Sequence, residues 1–287
     1  MHPYPFAYHR ATSVDEAIAL LASNGESKLL AGGQSLLPVM KLRLAQPGAL
    51  IDISEIDELR GARVAGDTLV IGALTRHHNL ETDPLIVEHA PLLAEMAHVV
   101  GDQQVRNRGT IGGAIAHADP AADYPAGVLA LDATLVIQGP DGSREVPVAE
   151  FFQGFMTTVL EPLDVLTAIM VPIARPGTGA SYQKLANPAS GYAIAGIAAV
   201  VEQAADGSIG AIRVGITGVG DVAYRATAVE EALTGQQPTD EAITAAATHA
   251  TDGVEPLDDV QAPASYRARV AANLTRRAIK TALERAG

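Results

Sequence analysis

Two stretches of this chain contain no carboxylate side chain, and each carries a pair of adjacent glycines. Residues 27–51 and 103–118 lack Asp and Glu, although the 287 residues include 33 of them. The first glycine pair lies in the run AGGQS at 31–35, and the second lies in TIGGA at 110–114. Glycine has no Cβ and therefore permits turns and close contacts that other residues exclude. The fold must accommodate two tight glycine loops that lie far apart along the chain.

Loops of this composition suit the binding of an anion. Backbone N–H groups around glycine can converge on an anion, and a neighbouring Ser or Thr hydroxyl adds a further donor. The missing carboxylates remove a source of repulsion. One bound pyrophosphate would explain both loops. The alternative is that each glycine pair is an ordinary tight turn without a ligand, and the residues alone leave both interpretations open.

Composition excludes several classes of protein. The 20 Lys and Arg against 33 Asp and Glu give a net charge of −13, which argues against nucleic-acid binding. No run approaches the roughly 18 apolar residues of a membrane helix, and the first ten residues lack the pattern of a signal peptide, so we expect a cytoplasmic protein. With no Cys, this sequence offers no disulfide, no thiolate-ligated zinc and no cysteine-held iron–sulfur cluster. Redox chemistry would need a bound cofactor.

The first 172 residues mix helix and strand. Ser13 and Glu16 form a capping-box pattern, and apolar residues at 14, 17, 18 and 21 then fall on one face of a predicted helix. Apolar runs predict strands, and the turn GPDG at 139–142 predicts a hairpin. The predicted strands cover 27–31, 49–54, 68–73, 133–138, 144–148 and 164–172, and helical stretches are predicted near 89–100 and 123–131.

The run ARPGTG at 174–179 is the best candidate for a linker between domains. Beyond it, β-like runs at 181–186, 193–203 and 209–219 predict an antiparallel meander. The remainder is predicted to be helical, and an apolar stripe marks the terminal helix at Val270, Ala271, Leu274, Ala278 and Ala282. The pattern as a whole indicates an α+β fold.

Two further patterns are interpreted as structural. Residues 218–223 (GVGDVA) match G-x-G-x-x-A after a strand, but no second parallel strand is predicted downstream, and Asp221 would place a carboxylate beside the phosphates. We interpret this run as a turn from strand to helix. His117, Asp119 and Asp123 could be metal ligands, but capping and turn formation explain the Asp residues. We expect no metal site.

Three segments together resemble the FAD-binding medium subunit of the molybdenum hydroxylases, the xanthine dehydrogenase family. They are LLAGGQSLLPVMKLRLAQP at 29–47, QVRNRGTIGGAIAHADPAADYP at 104–125 and YQKLANPASGYAIAGIAAVV at 182–201. The similarity extends from about residue 1 to the C-terminus and is greatest to the carbon monoxide dehydrogenase branch. The two glycine pairs in this order and spacing are specific for that family.

The resemblance implies a domain arrangement. An FAD-binding domain of the PCMH type would cover residues 1–176, with subdomains of about 1–58 and 59–176. A C-terminal domain of the carbon monoxide dehydrogenase flavoprotein type would cover residues 177–287 and contain a three-stranded antiparallel sheet with helices. This division agrees with the linker candidate at 174–179.

The resemblance also implies the residues of an FAD site. The backbone of the two glycine loops would hold the pyrophosphate, and Asp123 would bind the adenosine ribose. Tyr192 would lie near the isoalloxazine ring and gate access to it; otherwise it is a core aromatic at the start of a strand. The expected set is Lys28, Leu30, Ala31, Gly32, Gly33, Gln34, Ser35, Leu36, Thr110, Ile111, Gly112, Gly113, Ala114, His117, Asp123, Leu166, Lys184 and Tyr192.

Membership of this family would make the chain the FAD-carrying electron-transfer subunit of an oxidoreductase, most closely carbon monoxide dehydrogenase. A large partner subunit would oxidise the substrate at a molybdenum cofactor, and a small one would carry two [2Fe-2S] clusters. Electrons would leave to quinone or another acceptor, and the complex would be a dimer of heterotrimers. Association with the inner face of the cell membrane through the complex is an alternative to a free cytoplasmic location.

Other functions stay open at this point. The partner could instead be a xanthine, nicotinate or aldehyde-type hydroxylase, or the chain could be a scaffold without a cofactor. Two positions depart from the family pattern: Gln34 stands where His is often found, and Ala114 where Asp or Asn is usual. Because a backbone cradle does not need these side chains, the departures affect the substrate assignment more than the cofactor assignment.

Overall fold

A three-stranded parallel sheet with strand order β1-β3-β2 opens the computed structural model, which describes residues 2–287. The predicted first helix is confirmed: the Glu16 N–H donates to Ser13 Oγ at 3.1 Å, and the four apolar positions of the predicted face are buried. The strand at Ala7–Arg10 was not predicted. The elements are β1 (Ala7–Arg10), α1 (Val14–Ser23), β2 (Ser27–Leu30), α2 (Leu36–Lys41) and β3 (Ala49–Asp52).

A five-stranded antiparallel sheet with strand order β4-β5-β10-β6-β7 and six short helices follow. The predicted hairpin at 139–142 is confirmed by the pairing of Gly139 with Gly142. The elements are β4 (Ala62–Ala65), β5 (Thr68–Gly72), α3 (His77–Thr82), α4 (Pro84–His89), α5 (Pro91–Val99), α6 (Gln103–Arg106), α7 (Ile111–His117), α8 (Tyr124–Ala130), β6 (Thr134–Gly139), β7 (Gly142–Pro147), β8 (Phe152–Gly154), β9 (Thr157–Thr158) and β10 (Val165–Pro172).

The helix predicted near 89–100 is confirmed as α5, and a separate helix that was not predicted, α4, comes directly before it. α4 ends at His89 and α5 begins at Pro91, with Ala90 in a non-helical conformation between them. Proline has no N–H to donate and restricts the preceding residue, so a continuous helix through position 91 is disfavoured. The helical period of the apolar residues does not reveal this break.

The C-terminal part contains the predicted antiparallel meander, to which a two-residue strand adds a fourth member. The elements are β11 (Thr178–Ala186), β12 (Ala193–Gln203), β13 (Ile209–Thr217), β14 (Tyr224–Arg225), α9 (Thr227–Leu233), α10 (Asp240–Ala247) and α11 (Ala264–Ala286). Four of the five stripe residues on α11 are buried, and Val270 is half-buried. The expectation that the remainder is helical is wrong for 234–239 and for 248–263, where glycines and prolines interrupt helical structure.

The meander is covered on both faces, which explains the uninterrupted apolar run of β12. Ala198 and Val200 pack into the core of the five-stranded sheet, whereas Ile197 and Val201 pack against the C-terminal helices. Alternate residues of a strand point to opposite faces, so a strand buried on both faces needs apolar residues throughout. The meander therefore packs directly against the part of the chain that carries the second glycine loop. Among the helices of residues 2–287, none combines the length and apolarity needed to span a bilayer.

Candidate functional site

The two glycine loops lie against each other. A Cβ added to Gly32 would collide with the Arg108 carbonyl oxygen and would lie 2.7 Å from the Gly109 Cα. A Cβ added to Gly113 would lie 3.9 Å from the Ala31 Cβ. The loops are therefore in contact although about 80 residues separate them in the sequence. Only a residue without a side chain fits at Gly32, because backbone atoms of the second loop occupy the space.

The first loop, residues 31–36, carries a row of free backbone donors. Within residues 2–287, the N–H groups of Gly32 to Leu36 have no hydrogen-bond acceptor. Gly33 has φ +72°, a left-handed conformation that favours glycine, and it allows the chain to turn from β2 into α2. Successive unpaired N–H groups in such a turn form a concavity suited to an anion. The first loop therefore has the unpaired donors that the anion-binding interpretation requires, and binding itself stays a prediction.

The second loop, residues 108–114, differs from the first because most of its backbone donors are already used. Gly112 N–H donates to the Ala73 carbonyl at 2.9 Å, and Ala114 N–H donates to the Thr110 carbonyl at 3.0 Å. Gly113 N–H donates to Thr110 Oγ1 at 3.2 Å. Gly112 is required for close packing, since an added Cβ would collide with Ala73. Among the expected backbone donors of this loop, only the Thr110 N–H stays free. The first glycine pair therefore presents free N–H groups, whereas the second serves close packing and internal hydrogen bonds.

Basic side chains around the loops add positive potential. Lys28, Arg76 and Arg108 are exposed, and none forms an ion pair within residues 2–287. Arg106 is different: its guanidinium lies 3.3 Å from Glu81 and donates to the Val100 carbonyl at 2.8 Å. In a chain with net charge −13, unpaired cations beside free N–H groups favour an anionic ligand.

Asp123 and Lys184, both expected site residues, form a buried ion pair. Lys184 Nζ lies 2.9 Å from Asp123 Oδ2, and the Tyr182 hydroxyl donates to Asp123 Oδ1 at 2.6 Å. Only 6% of Asp123 is exposed. Burial raises the pKa of Asp123, against the lowering effect of Lys184 and Tyr182. Both oxygens are engaged inside the protein, so the expected contact with a ribose would require a further hydrogen bond to a carboxylate that is already paired.

The segment between α7 and α8, residues 118–123, is held by the C-terminal meander. The Pro120 carbonyl accepts from Thr217 Oγ1 at 2.7 Å and from Gly218 N–H at 2.6 Å. Ala193 N–H donates to the Ala121 carbonyl at 3.1 Å. These bonds, with the ion pair of Asp123, fix the end of α7 to the meander. The meander therefore contributes to the position of the second loop.

Tyr192 lies at the rim of the first loop. Its side chain is 39% exposed. Partial burial and the charge of Asp119 raise the pKa of Tyr192, while the nearby Ser35 hydroxyl lowers it. The phenol is therefore a neighbour of the first loop rather than a core residue, so of the two interpretations drawn from the sequence, the core aromatic is wrong.

The other expected residues are less uniform in position. Leu30 lies beside Gly33, whose added Cβ would be 3.2 Å from the Leu30 Cδ1. Gln34 is exposed, while Leu36 and His117 are half-buried. Leu166 is 6% exposed and belongs to the main apolar core. Leu166 is therefore a core residue, whereas Gln34 lies at the surface of the first loop.

Two sequence patterns were interpreted as structural: the run at 218–223 and the possible metal ligands between His117 and Asp123. Residues 218–223 connect β13 to the two-residue strand β14, so this run is not the predicted turn from strand to helix, and no Rossmann unit is formed. Asp119 accepts from the Ala121 N–H at 2.8 Å in a local turn. In the part of the chain that the structure describes, no group of three His, Asp or Glu side chains is arranged to hold a metal ion.

Sequence reasoning missed three residues that shape the site: His77, Gly109 and Tyr182. Tyr182 is two residues from Lys184 on one strand, so the strand period could have indicated that both side chains face Asp123. Gly109 precedes the second glycine pair and packs against the His77 ring. No local signal identifies His77, because its partners come from other elements.

Comparisons with known proteins identify the family to which the chain belongs. Residues 4–174 match the FAD binding domain in molybdopterin dehydrogenase, and residues 180–282 match the CO dehydrogenase flavoprotein C-terminal domain. The carbon monoxide dehydrogenase medium chain of Hydrogenophaga pseudoflava is 45% identical over 286 residues, which is 99% of each chain. The 6-hydroxypseudooxynicotine dehydrogenase complex subunit alpha of Paenarthrobacter nicotinovorans is 37% identical over 100% of this chain and 97% of its own length. A solved chain of carbon monoxide dehydrogenase from Hydrogenophaga pseudoflava, in a form that lacks the Mo-pyranopterin moiety, has a TM-score of 0.96, 46% identity and 99% coverage of both chains.

Proposed function

Since this chain belongs to the family of FAD-binding subunits of the molybdopterin dehydrogenases, we propose that it is the electron-transfer subunit of a carbon monoxide dehydrogenase. The observation that carries the proposal is the contact between the two glycine loops, one of which presents unpaired backbone donors. The similarity to the carbon monoxide dehydrogenase medium chain over the whole length supports carbon monoxide as the substrate of the complex.

The residues of the site fit FAD. The N–H groups of residues 32–36 would hold the pyrophosphate, and the Thr110 N–H would add a donor from the second loop. Lys28 and Arg108 would offset the two negative charges, and no carboxylate lies in either loop. Tyr192 would lie at the rim of the site, where it could limit access. When bound, FAD supplies a redox centre that exchanges electrons singly or in pairs.

The electron donor belongs to another chain. Iron–sulfur clusters are held by cysteine thiolates, and this sequence contains no Cys. We propose a small partner with two [2Fe-2S] clusters and a large partner with the molybdenum cofactor, arranged as a dimer of heterotrimers. We propose quinone or another acceptor as the destination of the electrons, and a cytoplasmic complex with attachment to the inner face of the membrane as the alternative.

A second candidate substrate class has its own support. The subunit of the 6-hydroxypseudooxynicotine dehydrogenase complex is 37% identical over the whole chain. Chains similar to this one over nearly their whole length therefore belong to enzymes named for different substrates. The second proposal is therefore a medium subunit whose large partner oxidises a substrate other than carbon monoxide.

The experiment is purification of the tagged chain from its native host. We expect one FAD per chain, flavin absorption bands near about 370 and 450 nm, and two co-purifying subunits, of which one contains molybdenum and one contains [2Fe-2S] clusters. Carbon monoxide oxidation by the complex distinguishes the first substrate proposal from the second. A colourless complex without FAD would contradict both and indicate a scaffold.

Gly32→Ala tests the contact between the loops. The added Cβ would collide with the backbone of Arg108, and overpacking typically costs about 1–3 kcal/mol. We expect about 5- to 150-fold weaker FAD binding, measured by titration of the flavin-free chain. Gly25→Ala is the matched control, because a Cβ at Gly25 meets nothing within 4 Å. We call the contact of Gly32 with Arg108 and Gly109 the seam between the loops. Equal affinities in the two variants would show that this seam does not shape the FAD site.

A further inference from the structure

We propose that His77 is a positioning residue of the FAD site, whose buried imidazole packs against Gly109 and holds the second glycine loop against the first. This inference rests on the proposed FAD function but concerns a residue that no sequence motif of the site includes. His77 touches neither glycine pair. It acts through Gly109, the residue at which the two loops meet.

Gly109 is in contact with the first loop and with His77. A Cβ added to Gly109 would lie 2.6 Å from His77 Nε2 and 2.8 Å from its Cδ2. The backbone N–H of His77 donates to the Gly109 carbonyl at 3.0 Å. The same Gly109 Cα lies 2.7 Å from the position of a Cβ on Gly32. Gly109 therefore lies between the imidazole of His77 and Gly32 of the first loop, and a displaced imidazole would let Gly109 move away from Gly32.

The imidazole is buried and packs against the ring of Tyr124. His77 is 5% exposed, and its ring lies 5.1 Å from the Tyr124 ring, centroid to centroid, at an interplanar angle of 32°. Tyr124 is 1% exposed and follows Asp123, which is bound to Lys184 of the meander. Contacts thus run from the C-terminal meander through Tyr124 and His77 to the seam between the loops.

The surroundings of the ring disfavour a charged imidazole. Burial and the charge of Arg106 on α6 lower the pKa of His77 to about 4. The nearby carboxylate on α3, Glu81, is engaged by Arg106 and by His98 of α5, which lies 2.8 Å away. The Tyr124 hydroxyl from α8 and His77 Nδ1 have no hydrogen-bond partner within residues 2–287. Protonation would place a second positive charge beside Arg106 without a free carboxylate to balance it.

A linkage between protonation and FAD affinity follows. If FAD binds only the closed seam, which needs a neutral ring, protonation of His77 in an open seam competes with binding. The pKa of His77 is about 4 in the closed structure and about 6.5 for an ordinary imidazole, so the loss of affinity lies between these two values and can reach about tenfold per pH unit. It begins at the pH where the protonated open arrangement outweighs the closed one, and above about pH 6.5 the affinity should not depend on this group.

The test compares FAD dissociation constants of the full-length chain between pH 5 and 8. His77→Gln keeps a neutral polar side chain that cannot titrate in this range, and His77→Ala removes the ring. We expect the affinity of wild type to fall toward the acid end of this range and that of His77→Gln to stay nearly level. We expect His77→Ala to bind FAD at least about tenfold more weakly at pH 7.5. His78→Gln, an exposed neighbour on the same helix, is the control and should follow wild type.

Each outcome of this experiment either supports or overturns the proposed role of His77. Parallel pH profiles of wild type and His77→Gln, or wild-type affinity in His77→Ala, would overturn the role of His77 while leaving the FAD site intact. If wild type and His78→Gln bind no FAD at any pH, the proposed function fails instead. Should His77→Ala not fold, the profile of His77→Gln alone still supports or overturns the inference.

Discussion

Gly33→Asp is expected to yield a folded chain that contains no FAD. Gly33 has φ +72°, a conformation that is unfavourable for residues with a side chain. The new carboxylate would also lie in the loop proposed to hold the pyrophosphate, and like charges brought together cost several kcal/mol. This loss corresponds to at least about a hundredfold weaker binding. Flavin absorbance of the purified chain and titration with FAD measure the effect.

Gly66→Asp is the matched control, because it adds the same charge at another glycine with positive φ, outside the proposed site. Gly66 also has a positive φ, +61°, and a Cβ there meets nothing within 4 Å. It lies in the exposed turn between β4 and β5, away from both glycine loops. The control should lose some stability but keep its FAD. Full flavin content in Gly33→Asp would remove the first loop from the cofactor site.

Asp123→Ala is expected to destabilise the chain by about 3–5 kcal/mol, the usual cost of leaving a buried charge without its partner. The variant leaves Lys184 buried beside an apolar side chain and removes the acceptor of the Tyr182 hydroxyl. Because the ion pair exists without any cofactor, the loss should appear in the flavin-free chain. Urea unfolding at neutral pH measures it.

Two further variants make this prediction specific to the ion pair. Asp221→Ala removes an exposed carboxylate and should change stability by no more than about 0.5 kcal/mol. Asp123→Leu combined with Lys184→Met replaces both charges by apolar groups and should recover much of the loss. If Asp123→Ala were as stable as Asp221→Ala, the carboxylate would be solvated rather than paired with Lys184.

Local signals in the sequence predicted the parts of the fold that depend on neighbours in the chain. The capping box of Ser13, the hairpin at 139–142 and the meander all follow from short patterns. The first glycine loop is of the same kind, because a glycine at positive φ after a strand is a local requirement.

Features that depend on distant partners could not be read from the sequence. Gly112 looked like a second anion-binding glycine, but its N–H is used by Ala73 and its missing side chain makes room for that residue. Arg106 lies in a stretch without carboxylates, but Glu81 from another helix pairs with it. The pairing of Asp123 with Lys184 joins residues 61 positions apart. In each case the residue type was informative, and only the tertiary partner decided its role.

The most direct test of the account is the position of the pyrophosphate in an experimental structure of the FAD-loaded chain or complex. We predict its oxygens within hydrogen-bond distance of the N–H groups of residues 32–36, with the Thr110 N–H as the donor from the second loop. The seam between Gly32 and Gly109 should stay closed. A pyrophosphate bound elsewhere, with these N–H groups left in contact with water, would contradict the account.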